Sequence, residues 1–314
     1  MNGKMTVCKI IMYHYVRPIK NSSFPGIKGL ETEGFQRQIE FFQKKFNFVS
    51  MHDILDCTYQ NKELPQNSIL LTFDDGFKDH YLHVFPLLKK LEIPAAFFPP
   101  ALPIVENSVL DVHKIHFILA STSNPQIIVD EIFNLIRKFS TEFELKKPET
   151  YFSELAIPNR FDHKEIVFIK RILQRNLPYV LRSKITDLLF QKFIHESEND
   201  FSSLLYLNFD EIHEMIENGM YFGSHSYSHQ WLSYLSPTEL ESEIKKSIKF
   251  CNDISLDTKD LVMCYPYGDY NQNVISHLIK SGFKAGLSTK VGDSTISNSN
   301  IFSLERYDTN DFPQ

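Results

Sequence analysis

Ser68-Ile-Leu-Leu-Thr-Phe-Asp-Asp-Gly76 is the stretch from which the rest of the chain is read. Ile69, Leu70, Leu71 and Phe73 form a short apolar run of strand formers, the pattern of a buried strand. The run stops abruptly at Asp74, Asp75 and Gly76, and glycine tolerates the sharp turn that such a stop requires. Side chains alternate along a strand, so the two carboxylates point in different directions. One can bind a metal while the other handles a proton. Asp-Asp-Gly is also a common turn sequence, and this stretch alone does not choose between turn and site.

The 314 residues suffice for one large barrel or two domains. Hydrophobic residues make up 42% and charged residues 23%, a composition typical of globular proteins. The net charge of -6 supplies no basic field for nucleic acid. There are 27 Phe against 11 Gly, which argues for a large apolar core rather than a repetitive or flexible chain. Cys8, Cys57, Cys251 and Cys264 are widely spaced with no CxxC pair, the usage expected of reduced thiols. Residues 1–8 lack the apolar core of a signal peptide, and no apolar run reaches membrane-spanning length. The expectation is a cytoplasmic protein with no transmembrane segment. The sequence specifies no oligomeric state.

Outward from the opening stretch, a rhythm of strand and helix repeats. Val7–Tyr13 reads as a first buried strand ending at His14. Residues 17–30 hold Pro18, Pro25, Gly26 and Gly29 and read as a loop. Phe35, Ile39, Phe42 and Phe46 have helical spacing. Phe48–Ser50 reads as a short strand, 51–59 and 77–91 as helices, and Ala95–Phe98 as another strand. Such alternation predicts parallel βα units. It breaks near residue 105. Residues 105–206 read as a mainly helical insertion, a lid or substrate platform, between barrel segments 1–104 and 207–314. Strands resume at Met220–Gly223, Leu261–Tyr265, Phe283–Leu287 and Phe302–Leu304. Asn208 with Glu211, and Ser236 with Glu239, have capping-box spacing.

Two later segments carry chemistry. His225 and His229 are four apart, a spacing that lets two imidazoles bind one metal from a single turn. They follow a short strand, as Asp74 and Asp75 do. In a parallel barrel the strand ends converge on one face, so Asp75 can join them as third ligand. The alternative is that the two histidines merely cap a turn. Tyr265-Pro-Tyr-Gly268 follows the last strong strand, and its turn can aim a backbone N–H at an oxyanion; an ordinary Pro-Gly turn is the alternative there.

Together, Thr72-Phe-Asp-Asp-Gly76, His225-Ser-Tyr-Ser-His229 and Tyr265-Pro-Tyr-Gly268 resemble the polysaccharide deacetylases, the NodB-like carbohydrate esterases. Met12-Tyr-His-Tyr-Val16 is similar to the family's opening strand, and Asn218–His225 to the run before its metal histidines. The resemblance covers roughly residues 7–104 and 207–307 and implies an α/β fold, a distorted (β/α) barrel of about seven strands. It implies Asp74 as general base, Asp75, His225 and His229 as ligands of one divalent metal, and Tyr267 as the oxyanion donor through its backbone N–H. Two histidines and an aspartate suit zinc, with cobalt, nickel or manganese as substitutes.

The sequence departs from that family in two places. Many members carry an Arg two positions before the Pro of the third motif, paired with the catalytic Asp. Here Cys264 stands there, and Arg306 is the candidate replacement. Many also end in a Leu-x-His whose His is the general acid, and no His follows His277. His113 is the first candidate for that role, with Lys114 beside it for a charged substrate, and His14 is another candidate at the site. The expected reaction is removal of an N-acetyl or N-formyl group from an amino sugar carried on a nucleotide or lipid, in surface-polysaccharide synthesis. Rival readings are an O-acetyl esterase or non-sugar amidohydrolase, and a catalytically silent carbohydrate-binding protein.

Overall fold

The computed structural model describes residues 6–159, 162–256 and 258–314. The chain divides into two compact units: residues up to Pro18, Gly29–Ser108 and Ser202–Gln314 form one, Ile19–Lys28 and Val109–Phe201 the other.

The first unit is the α/β barrel. Its strands are β1 (Val7–Tyr13), β2 (Asn47–Phe48), β3 (Ser68–Asp74), β4 (Ala95–Phe98), β5 (Tyr221–Phe222), β6 (Val262–Cys264), β7 (Ala285–Leu287), β8 (Ser294–Thr295) and β9 (Tyr307–Asp308). β1 pairs in parallel with β3 from Cys8↔Ser68 to Tyr13↔Phe73, β3 with β4 and β4 with β5. A parallel bridge at Ser224↔Met263 links the end of β5 to β6, which pairs with β7. Leu287↔Leu304 then joins β7 to the segment leading into β9, and β9 returns to β1 through Ile11↔Tyr307. The ring therefore closes through residues 304–308. Two short strands decorate it. β2 extends the β3 edge, and β8 runs antiparallel to β1.

β3 is buried at every position, as its apolar run requires. Phe73 stacks between Tyr13 and Phe97, each at 4.8 Å. Cys8, Ile10, Leu70, Ala96, Phe98, Val262 and Leu287 belong to one core cluster. The barrel is narrow where Gly223 passes Phe98: a Cβ there would lie 2.5 Å from the Phe98 ring and 2.8 Å from the Val262 carbonyl oxygen.

Both expected capping boxes form, Asn208 with Glu211 and Ser236 with Glu239. Several strands are shorter than their apolar runs suggest. Met220 and Gly223 flank the two-residue β5, and the segment 302–304 contributes a bridge instead of a strand. β8 was not expected, because Ser294 and Thr295 carry no apolar alternation. All four cysteines are unpaired. Among the described residues, no helix is long and apolar enough to cross a membrane.

The second unit is helical, with helices at Asp111–Ala120, Gln126–Phe139, Pro148–Leu155, Lys164–Arg171 and Tyr179–Phe193. Pro178 caps the last of these, where its fixed φ suits a helix start. Residues 19–28, expected with the barrel, group with this unit instead. The cause is local. Phe24 packs edge-on against Phe117 at 5.0 Å, and Asp162 pairs with both Lys28 and Lys170.

Gly223→Ala should destabilise the protein by about 1–3 kcal/mol, the usual cost of overpacking a filled core. Urea unfolding measures it, and an unchanged midpoint would show that Phe98 yields freely.

Candidate active site

β3 delivers Asp74 at its last position and Asp75 at the turn beyond it. Asp75 has φ 72, in the left-handed region. Gly76 follows at φ +63, and a Cβ there would lie 2.6 Å from Pro99. The sharp reversal therefore needs the glycine, and it swings the two carboxylates apart.

Asp74 is 1% exposed and faces Arg306, which is fully buried. Arg306 Nη1 and Nη2 each donate to one Asp74 oxygen at 2.8 Å, a two-pronged fork. Arg306 also donates to Thr72 Oγ1 at 3.1 Å and, through Nε, to the Ser288 carbonyl at 2.8 Å. Burial acts to raise the Asp74 carboxyl, but the guanidinium charge and its hydrogen bonds outweigh it and hold the group down at about 2. Asp74 is thus a carboxylate throughout the neutral range. His14, at the end of β1, brings Nε2 to 4.0 Å from Asp74 Oδ2, with its side chain 42% exposed. Its own carbonyl meets His80 Nε2 at 2.8 Å. Burial pulls the His80 imidazole down to about 4, so it is neutral and donates from Nε2.

Asp75 Oδ1 lies 3.5 Å from His225 Nε2 and 3.4 Å from His229 Nε2. Bonds of about 2.1 Å in a tetrahedron set their ligand atoms about 3.4 Å apart, so these two separations suit a zinc-sized cation, and the three ligand atoms all lie within 4.8 Å of one another. His225 Nδ1 contacts the Cys264 carbonyl oxygen at 2.7 Å, leaving Nε2 for the cation. Asp74, His225 and Cys264 also lie close enough to form a donor group. That group suits a cation less well, because Arg306 already occupies Asp74 and burial pushes the Cys264 thiol up, away from the thiolate.

Tyr267 sits in the turn after β6 with φ 58 and ψ 9. Its ring packs edge-on to His229 at 4.6 Å and stacks on Trp231 at 4.2 Å. Ser226 and His229 are left-handed as well, at φ 61 and 56. Left-handed non-glycine residues cost about 1–3 kcal/mol each and collect where function demands a shape.

His113 and Lys114 belong to the helical unit. His113 is buried, with its ring 5.8 Å from that of His116. The Lys114 ammonium pairs with Asp187 at 2.6 Å and Glu198 at 2.8 Å. Sequence reasoning passed over His80, Trp231 and Glu243. Glu243 left a readable signal, since it sits between Leu240 and Ile244 on the inward stripe of its helix.

The family model for polysaccharide deacetylase matches residues 61–115 and 190–286, two blocks on either side of the helical region. The Escherichia coli K12 poly-beta-1,6-N-acetyl-D-glucosamine N-deacetylase is 31% identical over 71 residues, covering 22% of this chain and 11% of that protein. The matched stretch is thus a small part of that relative's length. Among solved structures, Streptococcus pyogenes deacetylase PplD, in complex with acetate, superposes with TM-score 0.61 at 16% identity, over 97% of this chain and 93% of that one. IcaB from Ammonifex degensii gives 0.57 at 16% identity, over 96% and 91%. These likenesses establish the NodB-like fold read from the motifs.

Arg306→Met leaves Asp74 buried without its cation and should cost about 3–5 kcal/mol. Adding Asp74→Asn should return part of that loss, so the double variant unfolds at higher denaturant than Arg306→Met alone. Strictly additive losses would show that the two groups are not coupled.

Proposed function

We propose that this chain, a member of the polysaccharide deacetylase family, hydrolyses the N-acetyl amide of an amino sugar. One observation carries the reading: the Asp75–His225–His229 donor triangle stands beside a second carboxylate, Asp74, that Arg306 keeps ionised.

A divalent metal held by Asp75, His225 and His229, zinc by its donor set, would supply carbonyl polarisation and a more acidic water. Asp74 accepts the proton of the attacking water. The fork from Arg306 fixes its orientation, so the basic oxygen is presented without rotation. The Tyr267 N–H, turned by its left-handed backbone, donates to the oxygen that gains charge as the carbonyl becomes tetrahedral. His14 gives a proton to the departing nitrogen, and the C–N bond breaks. Water and amide are consumed; a free amine and acetate are formed. His14 is preferred to His113 because it lies within reach of Asp74 and is open to solvent.

The name of the Escherichia coli relative supports N-acetylglucosamine as the sugar, and the acetate in the PplD complex supports acetyl as the acyl group. The Trp231–Tyr267 stack supports a saccharide, since it sets aromatic surface beside the site. The carrier is the finer question. β-1,6-linked N-acetylglucosamine oligomers, nucleotide-linked and lipid-linked N-acetyl sugars, N-formyl analogues and O-acetyl esters form one panel. Amine release from the N-acetyl members at saturating zinc is the expected result. Release of acetate from esters alone would replace this reading with an esterase.

His14→Gln should lower kcat by about 10²–10⁴. Metal content should not change. Wild-type kcat in His14→Gln with a comparable loss in His113→Gln would transfer the role to His113.

A further inference from the structure

The loop Ser226–His229 links the two metal histidines, and it is strained at both ends, at φ 61 and φ 56. Such a loop keeps its shape only if its backbone groups are held from outside. The carbonyl side is held by the start of the helix Ala101–Glu106: Ala101 N–H donates to the Ser226 oxygen at 3.3 Å and Leu102 N–H to the Tyr227 oxygen at 2.8 Å. The N–H side converges on one carboxylate. Tyr227 N–H and Ser228 N–H both donate to Glu243 Oε1, at 3.1 and 2.5 Å. Ser228 Oγ donates to the same group, at 2.9 Å from Oε1 and 3.0 Å from Oε2.

Successive backbone N–H groups beside a left-handed residue form a concavity that accepts an anion. Here the anion is part of the protein. Glu243 is 7% exposed, between Leu240 and Ile244, on a helix face otherwise built for the core. Burying a carboxylate is costly unless it is fully hydrogen-bonded. An aliphatic residue would serve packing alone, so the carboxylate answers to the loop.

We propose that Glu243 is a positioning residue for metal binding: it holds the N–H groups of Tyr227 and Ser228 so that the Nε2 atoms of His225 and His229 converge on Asp75. This rests on the reading of Asp75, His225 and His229 as metal ligands. Glu243 acts through the loop backbone. Outer partners of this kind typically govern metal affinity by about 10–100-fold.

The test combines zinc affinity, by chelator competition, with hydrogen exchange of the 225–229 backbone in metal-free protein. Glu243→Ala should weaken zinc binding by about 10–100-fold and speed exchange at Tyr227 and Ser228. Glu243→Gln, whose amide oxygen can still accept both N–H groups, should stay within about threefold of wild type in affinity, with exchange largely restored. A lower unfolding temperature in Glu243→Ala with unchanged affinity and unchanged loop exchange would reduce Glu243 to a packing role. Equal damage from Gln and Ala would also overturn the hydrogen-bond account. If Glu243→Ala does not fold, Glu243→Asp withdraws the carboxylate by one methylene and is expected to show the same two losses. If wild-type protein binds no zinc, the ligand reading fails, and the exchange measurement still decides whether Glu243 clamps the loop.

Discussion

The fork between Arg306 and Asp74 is the interaction on which the rest of the site depends. Asp74 ends a strand buried along its whole length. A lone carboxylate there would take up a proton rather than remain charged. Arg306 reaches it from the segment that closes the barrel, where Leu304 bridges to β7 and Tyr307 pairs with β1. Closing the ring and keeping Asp74 ionised are therefore one structural event. The Cys264 position, where the resemblance to the polysaccharide deacetylases leads one to expect an Arg in many members, holds a buried thiol that burial pushes up, away from the thiolate. The positive charge thus enters from the neighbouring closing segment.

The same economy governs the backbone. Asp75, Ser226, His229 and Tyr267 are all left-handed, and all belong to the three turns that gather at the site. Each turn follows a strand fixed by pairing on the barrel wall, and the strands supply the rigidity that offsets the strain. Glycine stands at Gly76 and Gly268, where a Cβ would collide with Pro99 and Thr289. Elsewhere ordinary side chains occupy the strained positions, at Asp75, Ser226, His229 and Tyr267. Neighbouring groups such as Glu243 and the N–H groups of Ala101 and Leu102 then hold the backbone in place.

Much of this was legible in the sequence, for physical reasons. A buried parallel strand must be a continuous apolar run, so β1, β3 and β4 announced themselves, and the charged residues at the end of β3 stood out against it. Asn208 and Ser236 read correctly because a capping box is a local interaction. Non-local features were harder to read. The barrel closes through a bridge at Leu304 and two residues of β9, too short for any periodicity. His80 is held by the carbonyl of His14, 66 residues away in sequence. Glu243 was visible only as an acid on an apolar stripe, a signal without a partner until the fold supplied the loop. The segment 19–28 looked like a barrel loop because its turn residues say nothing about what Phe24 and Lys28 pack against.

The central claim is a division of labour between adjacent carboxylates, proton transfer at Asp74 and metal binding at Asp75. Zinc titration of metal-free wild-type, Asp74→Asn and Asp75→Asn protein, with binding read by calorimetry, tests it most directly. The account predicts one zinc per chain in wild type, retained at full stoichiometry in Asp74→Asn, and an affinity lower by at least about tenfold in Asp75→Asn. Equal loss of zinc from both variants, or full retention in Asp75→Asn, would contradict it.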